Sequence, residues 1–86
     1  MPFSLPISVT QDNVLQLEKD GLLNLAALRS VDCARLKDFD STVLTVLLAW
    51  QKKLQIDGQQ LTLLNAPEKL KVLAGVYGVA ALLGLS

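Results

Sequence analysis

VDCARLKDFDSTVLTVLLAWQKKLQIDGQQLTLL, residues 31–64, decides the fold because its hydrophobic period changes twice. Val31 to Leu36 reads as a strand, with Val31 and Cys33 facing one side. Lys37-Asp38-Phe39-Asp40 follows as a polar connection, and Asp40 or Ser41 then opens a helix running to about Gln55. Val43, Leu44, Leu47, Leu48, Trp50 and Leu54 give that helix a wide apolar face, leaving Thr45, Lys52, Lys53 and Gln55 for the remainder. Asp57-Gly58 ends it, and Gln60 to Leu64 is a second compact strand. Strand, helix and strand in this order predict two adjacent parallel strands joined by a helical crossover.

On the N-terminal side, Pro6-Ile7-Ser8-Val9 is a short β-like run. Thr10 then stands as N-cap of a helix carrying Gln11, Asp12, Val14, Leu15, Leu17 and Glu18, with Asp12 near the positive end of the helix dipole. Gly21 either stops that helix or lies within it, since Leu22 to Leu28 is again helix-forming sequence. On the C-terminal side, Asn65-Ala66-Pro67-Glu68 starts a third helix, with Pro67 in the first turn, where its missing N–H costs nothing. Leu70, Leu73 and Val76 or Tyr77 form its apolar stripe, Gly78 stops it, and Val79 to Leu85 is a last short strand or helical turn.

Eighty-six residues hold one domain with one core. With 51% hydrophobic and 19% charged residues the chain has the composition of a folded protein, leaning toward apolar surface covered by a partner. Eight Lys and Arg against eight Asp and Glu leave no basic field for a phosphate backbone, which argues against nucleic acid. Without histidine, and with Cys33 alone, the sequence offers no zinc site, no Ser-His-Asp or Cys-His nucleophile and no internal disulfide. Neither metal nor cofactor is expected. Met1 to Pro6 lacks the charged start of a signal peptide, and the uncharged stretch Val72 to Ser86 is shorter than the ~20 residues of a bilayer helix, so a cytoplasmic location is expected.

The junction Asp40-Ser41-Thr42, one turn before Thr45, is the candidate functional site. A helix start carries unpaired N–H groups and roughly half a positive charge, which favours an anion or a phosphorylated hydroxyl. The plainer alternative is that Asp40 or Ser41 only caps the helix.

Val31 through Ser41, followed by Leu44 to Leu48 and Ala49-Trp50, resembles the STAS domain (sulphate transporter and anti-sigma factor antagonist). In that family a buried strand leads through a short loop to an Asp-Ser or Asp-Thr pair opening a long apolar helix. Within it the sequence resembles more closely the small STAS subunit of the bacterial Mla phospholipid-transport ABC complex. The leucine-rich helix ending in Ala49-Trp50, the Asn65-Ala66-Pro67 helix start and Leu73-Ala74-Gly75-Val76-Tyr77-Gly78-Val79 carry that similarity. The resemblance implies an α/β fold, a single small STAS-like domain over residues 1–86 with a mixed β-sheet and helices mainly on one face. It also implies a non-catalytic subunit that presses Asp40, Ser41, Thr42 and Thr45 against an ABC ATPase, peripheral at the inner membrane through the complex and touching the membrane only indirectly. The rival implied by the same family is an anti-sigma factor antagonist switched by phosphorylation of Ser41. The family's opening hairpin is shortened here, so self-association through an N-terminal sheet edge is expected, and Val43 replaces a common glycine, which crowds the approach to Ser41.

The remaining candidates are read as structural. Asp38 and Asp40 as an acid–base pair lack a second domain to form a cleft, and neither a glycine-rich phosphate loop nor a base supports a small enzyme or nucleotide-binding protein. Cys33 in a strand is a small core residue, and Trp50 is either core or a partner anchor. Lys52-Lys53 with Lys69 and Lys71 form either a basic patch toward a membrane surface or a solvated face.

Overall fold

The computed structural model describes residues 3–24 and 29–85. Five short strands and three helices follow one another as β1 (Phe3–Ser4), β2 (Ser8–Val9), α1 (Val14–Leu22), β3 (Ser30–Asp32), β4 (Asp38–Phe39), α2 (Thr42–Ile56), β5 (Thr62–Leu64) and α3 (Glu68–Val76). They form a small α/β fold with two parallel sheets, ordered β1-β3-β5 and β2-β4.

The decisive pairing is the expected one: Val31 of β3 lies opposite Leu63 of β5, in parallel register, with α2 in the connection between them. Helix α2 buries Val43, Leu44, Val46, Leu47, Trp50, Gln51 and Leu54. Each large apolar side chain removed from water in this way is worth roughly 1.5–3 kcal/mol, which makes α2 the centre of the single core. Trp50 is fully buried; its ring meets Phe3 of β1 edge-on at 5.3 Å between centroids, and its Nε1 donates to the Glu18 carbonyl of α1 at 3.2 Å. Cys33 is buried in the same core, as its place in the sequence implied, and burial pushes its thiol up to about 11.

Several expectations are corrected. The described pairings are all parallel, in place of a mixed sheet. The strand begun at Val31 ends at Asp32 instead of Leu36, because the Asp32 carboxylate accepts the Ala34 N–H at 2.9 Å and turns the chain. The polar connection Lys37–Asp40 contains β4, whose Phe39 is buried opposite Val9. Thr10 is not the N-cap of α1. Asn13 takes its N–H on Oδ1 and donates through Nδ2 to the Ser8 carbonyl, so Gln11 and Asp12 lie in a turn and the helix starts at Val14.

Helix α1 runs through Gly21 to Leu22; residues 25–28, in the expected continuation, lie outside the described residues. Glycine is required there by a neighbour, since a Cβ at position 21 would overlap the indole of Trp50. On α3, Leu70 and Ala74 are buried and Leu73 is partly buried, whereas Val76 and Tyr77 face solvent. Gly78 ends this helix in the left-handed region at φ 70°, as its position implied.

The N-terminal run fills much of the edge that was expected to be open. Phe3–Ser4 pairs with β3, Leu5 is buried and its N–H reaches the Asp32 carbonyl at 2.9 Å. Val79 to Leu85 forms turns that bury Leu83. Gln51, a polar side chain inside the core, ties these turns to the segment entering β5: its Nε2 donates to the Leu82 carbonyl and its Oε1 accepts the Leu61 N–H, both at 2.9 Å.

Candidate functional site at the start of helix α2

Strand β4 delivers the chain to the site. Phe39 is buried, and the next residue, Asp40, is exposed at the edge where α2 begins. The capping role belongs to Asp40 and not to Ser41. One Asp40 oxygen accepts both the Thr42 N–H, at 2.9 Å, and the Thr42 hydroxyl. These two bonds, the hydroxyl's the larger in effect, hold the Asp40 carboxyl below its ordinary range. Ser41 has helical backbone angles and its side chain makes no capping hydrogen bond.

The helix end is also less open to an anion than its sequence implied. Besides the Thr42 N–H held by Asp40, the Val43 N–H bonds the Asp40 carbonyl at 3.2 Å and the Leu44 N–H bonds the Ser41 carbonyl at 3.1 Å. With these amides engaged, the site presents the helix dipole, the Asp40 charge and hydroxyls. Ser41 is half-buried, as is Thr42, whose hydroxyl is committed to Asp40; Thr45 is exposed. Ser41 and Thr45, spaced i and i+4, lie on one face of the helix.

Val43 is fully buried. Its branched side chain therefore points into the core and does not crowd Ser41 from outside.

A cation lies over Phe39. Lys69, in the first turn of α3, places Nζ 5.2 Å from the centroid of the Phe39 ring. Lys69 thus lies over Phe39, the residue that precedes Asp40. Nothing in the sequence links Lys69 to Phe39: their contact depends on how α3 lies against β4.

Asp32 also carries a carboxyl held below its ordinary range, first by the Ala34 N–H and then by the Asn65 amide at 3.2 Å. Both partners belong to turns, and Asn65 sits at φ 56°, so this group fastens the exits of β3 and β5. Among the described residues no group of three or more His, Cys, Asp and Glu side chains is arranged to hold a metal ion. No described helix is long and apolar enough to cross a membrane.

A family model described as "Mlab, STAS domain" matches residues 5–84 of the chain. No curated protein matches it significantly.

Proposed function

The chain belongs to the STAS domain family, and from that premise we propose that it is a non-catalytic subunit that binds and supports the ATPase of a phospholipid-transporting ABC complex, which maintains lipid asymmetry. The observation that carries this reading is the match over residues 5–84 to a family model whose description joins Mlab to STAS. The docking surface in this reading is the start of α2, where Asp40, Ser41, Thr42 and Thr45 meet the partner. Its support is that the fold does not use the Ser41 hydroxyl for capping, while Thr45 on the same helical face is exposed. The subunit then stands at the cytoplasmic side of the inner membrane through its partner.

Ser41→Asp tests this with the candidate ATPase subunit. The substitution adds a charge at the proposed contact without removing a cap. Lost binding with unchanged thermal unfolding is the expected result; unchanged binding with unchanged unfolding refutes the docking role.

The second reading, an anti-sigma factor antagonist switched by phosphorylation of Ser41, is favoured by the burial of Val43, which leaves the hydroxyl unobstructed by that side chain. A phosphate there would bring up to two negative charges beside Asp40. Mass spectrometry after incubation with an anti-sigma kinase separates the two readings: stoichiometric phosphate on Ser41 and loss of anti-sigma binding support the second, and an unmodified chain that still binds the ATPase supports the first.

A further inference from the structure

We draw no further inference here: the strongest candidate, the shallow depression on α2 lined by Leu48, Gln51, Lys52, Gln55 and Leu82, carries nothing because nothing in the structure shows what covers it.

Discussion

Replacing Gly21 with alanine sets a local preference of the chain against its packing. In an ordinary helix interior the change stabilises by about 1 kcal/mol, because glycine is the poorer helix former by that amount. Here the added Cβ would overlap atoms of the Trp50 indole, a side chain with no exposed surface. Overpacking of this kind costs typically ~1–3 kcal/mol. Shifting the ring also strains the 3.2 Å bond from Trp50 Nε1 to the Glu18 carbonyl, a contact of a class worth about 1 kcal/mol. It disturbs the edge-on contact with Phe3 as well, a class worth about 0.5–1.5 kcal/mol. The expected net loss for Gly21→Ala is therefore about 1–3 kcal/mol, or a fall in Tm on the order of 5–20 °C for a domain of this size. Gly75→Ala supplies the control: the same exchange in α3 meets nothing within 4 Å and should stabilise by about 0.5–1 kcal/mol. Urea unfolding followed by the fluorescence of the single tryptophan measures both variants on one probe. If Gly21→Ala proves as stable as Gly75→Ala, with an unchanged native emission spectrum, the close approach of α1 to Trp50 is not what holds glycine at that position.

Three further outcomes are expected. Asp40→Ala should lower stability by roughly 0.5–2 kcal/mol as a lost cap, whereas Ser41→Ala should be nearly silent; chemical denaturation of the pair reverses this assignment if the serine variant is the weaker. The Asp40 carboxyl should titrate below the ordinary aspartate range, and Thr42→Val, which removes its larger stabilising bond, should move it upward in a carboxyl NMR titration. Because this pKa is depressed on folding, the contribution of Asp40 is present above the unfolded value near 3.9 and is lost as pH falls through the lower folded value. Gln51→Leu should cost about 1–3 kcal/mol in urea unfolding, since it leaves the Leu61 N–H without its partner inside the core.

The unit from Val31 to Leu64 was legible because its signals are local and repeated. Apolar residues recur through α2 at helical spacing, Asp57-Gly58 closes the helix, and two β-rich runs flank it. The Asp40–Ser41 helix start was legible for the same reason, although sequence could not decide which side chain does the capping. That choice depends on the angle at which β4 enters α2, and Ser41 has already turned helical when the bond is made. Strands β1 and β4, two residues each, are too short to show an alternating pattern. The helical stripe of α3 was read correctly at Leu70 and Leu73 but carried one turn too far, since Val76 and Tyr77, apolar enough for a core, are exposed. Gly21 and Lys69 owe their settings to Trp50 and Phe39, residues remote in sequence, so no local rule reaches them.

The parallel pairing of the N-terminal strands has a kinetic consequence. Phe3 is matched with Val31 and Ser8 with Asp38, so neither strand can form a hairpin with its sequence neighbour. Each must wait for a loop of about 30 residues to close, an entropic cost incurred before any ladder bond returns it. During synthesis β1 and β2 emerge before their partners: β1 gains one once Val31 and Asp32 have left the ribosome, β2 once Asp38 and Phe39 have. The helix carrying Trp50 follows directly behind β4, so Phe3 meets the indole it packs against only after both β3 and α2 have been made.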